Sequence, residues 1–251
     1  MKASIIITSF NRSELLMYDL DSLVRQNLKD TEILVLNDGD PHDGTEGICE
    51  MYSDDLNIRY FATKRDHTQW RVPGFAINYG LQQSKGKFIF LSCAEMYHMG
   101  NTVENMIAVL EKQPKSMVIP KGKDDDGKFL NKLKQHIAIQ EEDCNCLKPL
   151  INIHFPFFMG LCKEQIMKIG GYDEDFVGVG FDDNDIVYRL GRAGCKLISV
   201  NSIVIHLYHP RLKFNNKDIH QRLKFNEALF HKKRAKKEII RNKNRKWGEL
   251  F

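Results

Sequence analysis

The 251-residue chain contains no G-x-G-x-x-G turn and no G-x-x-x-x-G-K-S/T loop, which disfavours both a nicotinamide enzyme and a P-loop kinase. No apolar run reaches membrane-spanning length, and the opening MKASIIITSF is too short for a secretion signal or a span. A cysteine framework is also missing. Cys49, Cys93, Cys144, Cys146, Cys162 and Cys195 are scattered, and without an export signal they are expected as reduced thiols of a cytoplasmic protein. Cys144 and Cys146 form a C-x-C pair, but no second pair stands at zinc-finger spacing, and structural zinc needs four ligands.

What remains is an ordinary globular composition, long enough for one large domain or a domain with an appendage. Charge is unevenly placed. His231–Phe251 carries nine Lys or Arg against two Glu, a net +7, so the first 230 residues are about −3 within a chain of +4.

Ser4–Thr8 (SIIIT) is an unbroken β-branched run and reads as a buried parallel strand. Helical periodicity follows through Leu15, Leu16, Leu20, Leu23 and Val24, ending near Gln26. Glu32–Leu36, Ile58–Phe61 and Lys87–Leu91 read as further strands, with helices over Thr45–Ser53 and Pro73–Gln83 between them. Alternation of this kind predicts an α/β fold with a mostly parallel sheet. Ligands of such sheets bind at the carboxyl ends of the strands, which selects Thr8–Arg12, Asn37–Asp40 and Ser92–His98 as pocket loops.

The densest chemistry lies later, in Gly170–Asp185 (GGYDEDFVGVGFDDND), followed by the helical pattern IVYRLGRAG. Asp182 and Asp183 fall at the start of that helix, where its positive end favours an anion. A carboxylate so placed is expected to stay ionised and to accept a proton from an alcohol.

SIIITSFNR, EILVLNDGD, the Ala76–Gly80 helix, GKFIFLSCAEM and GGYDEDFVGVGFDDND, in this order, resemble the successive motifs of inverting glycosyltransferase family 2, with the GT-A fold. The part through HLYHPR is similar to the closing motif of galactosyltransferases and chondroitin-polymerase-type enzymes. The resemblance runs from about Lys2 to Arg211, suggesting a glycosyltransferase domain over 1–211 and a helical basic extension over 212–251.

The resemblance implies a nucleotide-sugar donor, most simply a UDP-sugar, and a hydroxyl acceptor on a glycan or a lipid-linked glycan. Thr8 and Asp38 match base-contacting positions, and Arg71 matches a diphosphate-facing arginine. Asp183 matches the catalytic base, and Asp182 a residue that bonds sugar hydroxyls. Where the family has its D-x-D motif this chain reads Ser92-Cys93-Ala94-Glu95, leaving Glu95 as the acidic ligand for Mn²⁺ or Mg²⁺. His206 matches a metal-binding histidine; His209 and then His98 rank behind it. The missing aspartate also leaves open a binding module that holds nucleotide or carbohydrate without catalysis. Trp70 and Phe176 are candidates to stack on sugar rings, and Asn152–Gly160 is expected to line the sugar pocket.

Lys121–Cys146 reads as a polar insertion over the acceptor side, with Asp124-Asp125-Asp126 a solvated turn because no strand pattern precedes it. Asp218–Trp247 reads as one long helix whose apolar stripe gives way to basic residues. Three roles fit it: lying on an anionic membrane surface, tracking nucleic acid as in a transferase acting on modified bases, or packing back on the body.

Overall fold

The computed structural model describes residues 1–26, 28–63, 71–150, 157–210 and 217–249. Its first half follows the expected alternation: β1 (Ala3–Ser9), α1 (Ser13–Val24), β2 (Thr31–Asn37), α2 (Thr45–Met51), β3 (Ile58–Ala62), α3 (Gly74–Gln83) and β4 (Phe88–Cys93). Then come β5 (Met96–His98), α4 (Thr102–Lys112), β6 (Ser116–Asp124), α5 (Lys128–Lys134), α6 (Glu141–Asn145) and β7 (Lys148–Pro149). The chain continues through β8 (Phe158–Cys162), α7 (Lys163–Lys168), α8 (Asp182–Arg192), β9 (Lys196–His206) and α9 (Lys217–Ala235).

The strands form one sheet in the order β3-β2-β1-β4-β8-β6-β9-β5, with β7 alongside β6. Ile5, Ile6 and Ile7 of β1 are wholly buried, Ile5 and Ile7 on one face and Ile6 on the other. A strand covered on both faces has no polar side to alternate with, which is why the run is continuous. β3, β2, β1 and β4 are mutually parallel. β8 enters antiparallel to β4, and β6 is antiparallel to β8, so β6 and its parallel partner β9 point the same way as β1. The carboxyl ends of β1, β2, β4, β6 and β9 therefore share one edge of the sheet.

Two expectations are corrected. A strand does precede the triple aspartate: β6 runs into Asp124, disguised by Pro120, Lys121 and Lys123 at a register shift near the sheet's end. The insertion packs, through Phe129, Leu130 and Cys144, on Tyr97, Ile205 and Leu207. The long C-terminal helix is also shorter than its pattern. α9 stops at Ala235, Lys237 takes φ 56°, and the chain turns back so that the Arg241 N–H bonds the Ile169 carbonyl at 3.0 Å. Ionic partners in the 170–185 loop outweigh helix propensity there. All six cysteines are free thiols. No helix among the described residues is long and apolar enough to cross a membrane.

Candidate active site

Three groups of side chains gather along the carboxyl edge and beside it. The first is built on Asp38, which follows β2 and is buried. Arg71 grips it with both arms, Nε to Oδ2 at 2.8 Å and Nη2 to Oδ1 at 2.9 Å, and Thr63 donates to Oδ1 at 2.7 Å. Such a forked pair is geometrically fixed. Arg71 also lies over the Phe75 ring, 4.4 Å from its centroid. The Arg71 expected at a diphosphate is thus drawn to the Asp38 carboxylate. Thr8 stands at the end of β1, its hydroxyl 3.4 Å from the Ser92 carbonyl.

The second group surrounds Glu95, just past β4. Arg12 donates from Nε to Glu95 Oε1 at 3.1 Å and from Nη2 toward His209 Nδ1 at 3.3 Å. His209 Nε2 lies 3.9 Å from the same Glu95 oxygen. His206 ends β9, with its ring 5.1 Å from that of His209 and Nδ1 3.1 Å from Asp124 Oδ1. Glu95 and His206 are neighbours through the sheet, since Met96 pairs with His206 and the Leu207 N–H bonds the Glu95 carbonyl at 2.8 Å. Carboxylate and imidazole donors suit Mn²⁺. Among the described residues no three such side chains already converge as a ligand cluster. His98 is elsewhere, buried against Asp19 at 3.2 Å and edge-on to Phe158, a core pair.

The third group is the carboxylate pair. Phe181 enters α8 in a left-handed conformation, φ 67°, uncommon for an aromatic residue, and its ring rests near Phe230 of α9, 5.7 Å between centroids. Asp182 and Asp183 are the first two helical residues. Asp182 is buried, and its Oδ2 has no hydrogen-bond partner among the described residues. Asp183 is half-buried as a residue and its carboxyl is desolvated by the surrounding protein; it accepts a hydrogen bond from the Tyr172 hydroxyl at 3.0 Å. Burial pushes Asp182 up to about 7. Burial first, then the charge of Asp182, raises Asp183 well above the usual carboxylate range, against the lowering effect of Tyr172. The expectation that the helix start keeps Asp183 ionised is corrected: removal from water outweighs the helix dipole, whose effect is smaller.

Packing ties the first and third groups together. Val72, next to Arg71, lies in one apolar cluster with Phe176 and Phe230, flanked by Phe75 and Phe181. Gly74 opens α3 against Tyr172, where a Cβ would stand 2.9 Å from the ring. Asn78 of α3 donates to the Tyr172 carbonyl and accepts from its N–H, at 2.9 and 2.8 Å. Phe176 is wholly buried, so it is core rather than a sugar platform. Trp70 and residues 151–156 lie outside the described residues. Sequence reasoning placed Arg12 in a pocket loop without giving it a role, set Asp124 aside as part of a solvated turn and assigned nothing to Tyr172. Arg12 lies in the loop after β1, Asp124 is the last residue of β6 and Tyr172 sits inside the acidic motif, so strand-end position and motif membership were the available signals.

The model of "Glycosyl transferase family 2" matches residues 4–170, two thirds of the chain. The chain belongs to glycosyl transferase family 2. A second family model, "N-terminal domain of galactosyltransferase", matches residues 154–211. Among relatives of this family-2 chain, chondroitin synthase of Escherichia coli is 26% identical over 250 residues, covering 86% of this chain and 36% of that protein. Staphylococcus aureus TarS 1–349 in complex with UDP superposes with a TM-score of 0.64 at 16% identity, over 91% of this chain and 65% of that one. The mannosyltransferase PcManGT of Pyrobaculum calidifontis, in complex with GDP-Man and Mn²⁺, gives 0.60 at 17% identity, over 94% and 64%. These superpositions identify the fold as GT-A. The chain spans between 17% and 36% of the length of the first curated relatives it matches.

Proposed function

We propose that this chain is the catalytic GT-A unit of an inverting glycosyltransferase that moves a sugar from a UDP-sugar to a hydroxyl of a glycan or lipid-linked acceptor. The observation that carries the reading is the Asp182–Asp183 pair at the start of α8, with Asp183 oriented by Tyr172. In the reaction, the acceptor oxygen attacks the anomeric carbon from the face opposite the nucleotide. A new C–O bond forms, the bond from the anomeric carbon to the phosphate oxygen breaks, and its electron pair leaves with UDP. The hydroxyl proton passes to the deprotonated Asp183 carboxylate, and the configuration inverts. Asp182 would bond a sugar hydroxyl where the substrate reaches its buried Oδ2, which has no partner among the described residues.

The Asp38–Arg71 fork supports a nucleotide base with an imide edge. A carboxylate accepts from the uracil N3–H while an adjacent guanidinium donates to O4. Guanine also offers an N–H beside a carbonyl, so direct competition between UDP and GDP separates the two. Glu95 and His206, with His209 and Asp124 beside them, would hold Mn²⁺ or Mg²⁺. Bound there, the cation would neutralise the leaving diphosphate. Arg12 adds a fixed positive charge at the same place. The family match ends at residue 211, which supports a domain boundary near there. Of the three roles open to the basic segment, the pairing of Lys233, Arg241 and Arg245 with acidic residues of the 170–185 loop favours packing back on the body.

The test is a thermal-shift panel of UDP- and GDP-sugars with and without Mn²⁺, followed by release of UDP from the best ligand with water as acceptor. Stabilisation by a UDP-sugar together with slow hydrolysis is the expected result. Stabilisation with no release under any condition makes the chain a non-catalytic binding module.

A further inference from the structure

Residues 236–249 lie beyond both family matches, yet they grip the backbone that carries the carboxylate pair. Arg241 is buried, its Nε 2.9 Å from Asp173 Oδ2 and its Nη2 3.6 Å from Asp185 Oδ1. Asp185 stands about one helical turn after Asp182 and also takes Nε of Arg189 at 2.5 Å. Arg189 in turn donates to the carbonyls of Ile169 and Gly171, at 3.0 and 2.8 Å. The next residue, Asn242, donates to the carbonyls of Tyr172 and Gly170 at 2.7 and 2.8 Å. Its Oδ1 accepts from the Glu174 N–H at 3.4 Å. Asn242 makes these bonds from a left-handed backbone, φ 54°, which asparagine tolerates better than most residues. Trp247 closes over Gly171, whose φ is +64° and where a Cβ would stand 2.7 Å from the indole.

The segment thus reaches Asp183 from two sides. Arg241 lies against the first turn of α8, its Nη2 within ion-pair range of Asp185 but with no hydrogen bond to it among the described residues. Asn242 fixes the main chain of Tyr172, whose hydroxyl orients the Asp183 carboxylate. Stability alone explains this poorly, because buried ion pairs contribute little net stability compared with apolar packing.

We infer that residues 236–249 are a working part of the active site, with Arg241 and Asn242 as positioning residues that aim Asp183 at the acceptor hydroxyl. This rests on Asp183 being the base.

The experiment compares full chains carrying Arg241→Met, Arg241→Lys, Asn242→Gly and Asp183→Asn with the parent. The probes are UDP, and UDP-glucose and UDP-N-acetylglucosamine hydrolysed in the presence of Mn²⁺. UDP affinity counts folded molecules, and hydrogen exchange is followed over peptides covering residues 170–190. In Arg241→Met and Asn242→Gly, UDP affinity is expected within about twofold of the parent, with faster exchange over that stretch. Per UDP-binding molecule, kcat should fall by about 10²-fold, the usual consequence of misplacing a reacting group, with KM little changed. Arg241→Lys should recover most of the rate. Unchanged kcat per UDP-binding molecule in both variants overturns the inference even if their melting temperatures fall, as does unchanged exchange. If Arg241→Met does not fold, Asn242→Gly, which leaves no buried charge unpaired, decides alone. Full activity of Asp183→Asn removes the base and this inference with it. An inactive Asp183→Asn beside fully active Arg241→Met and Asn242→Gly removes only the inference.

Discussion

The Tyr172 hydroxyl points its proton at Asp183 Oδ1, 3.0 Å away, while Tyr172 itself is wholly buried. Burial and the neighbouring carboxylates push the tyrosine's own ionisation well above its ordinary value, so it remains a donor throughout the working range. It therefore serves the Asp183 carboxylate as a hydrogen-bond donor only. Asp182 and Asp183 are adjacent, both desolvated, and each ionisation opposes the other.

A base must be deprotonated to act, so kcat/KM for UDP-sugar hydrolysis is expected to climb with pH, with its acid limb well above the ordinary carboxylate range because burial and the charge of Asp182 raise Asp183. Asp182→Asn removes the charge that raises Asp183 and should move the acid limb to lower pH. Tyr172→Phe removes a bond that lowers Asp183 and should move it to higher pH. pH–rate profiles of the two variants shifting in the same direction would count against this assignment.

The same burial costs stability. A carboxylate with a folded pKa above its unfolded one binds more protons when folded, so stability falls as pH rises between the two values. For Asp182 that window runs from 3.8 to about 7. Asp182→Asn and Asp183→Asn should therefore melt higher than the parent at pH 8, by about 2–6 °C for a chain of this size. The gain should shrink toward the acid end. Thermal melts showing both variants less stable than the parent at alkaline pH would contradict the desolvation argument.

Asp38 and Arg71 depend on each other. Asp38→Ala leaves the guanidinium without its forked partner, and Arg71→Met leaves the carboxylate with Thr63. Either change should weaken UDP binding by about tenfold or more, roughly 1.4 kcal/mol, in calorimetric titrations. The melting temperature of Asp183→Asn bears no relation to this loss, and its UDP affinity should stay at the parent value.

The parallel half of the sheet was legible because a strand buried on both faces must be apolar throughout, as Ile5–Ile7 and Leu34–Leu36 are. Asp182 and Asp183 were legible because a block of carboxylates before an amphipathic pattern marks a helix start. β6 was not, since its second half carries Lys121 and Lys123 beyond a register shift, and the polarity mimicked a loop. The end of α9 was hidden for a different reason. Lys233 and Arg241 turn toward Asp173, a carboxylate 60 and more positions earlier, and no local pattern encodes such a long-range partner. The proton affinity of Asp183 was misjudged because the helix dipole is visible in sequence while desolvation is not.

The cation group makes a separate claim. Mn²⁺ should tighten UDP binding to the parent, and Glu95→Ala or His206→Ala should lose most of that gain. Arg12→Met should weaken UDP binding in chelator and, by releasing Glu95 from its guanidinium partner, enlarge the gain that Mn²⁺ brings. Titrations of the parent that coincide in Mn²⁺ and in chelator would remove the cation from the donor site.

Asp183→Asn tests the central claim most directly. Asparagine keeps the shape of the side chain and an oxygen for the Tyr172 hydroxyl, but it cannot take the acceptor's proton. UDP release from a UDP-sugar, measured at pH 8 beside UDP affinity, should fall by about 10²–10⁴-fold while affinity stays unchanged. Release within about twofold of the parent rate, at equal UDP affinity, would contradict Asp183 as the base.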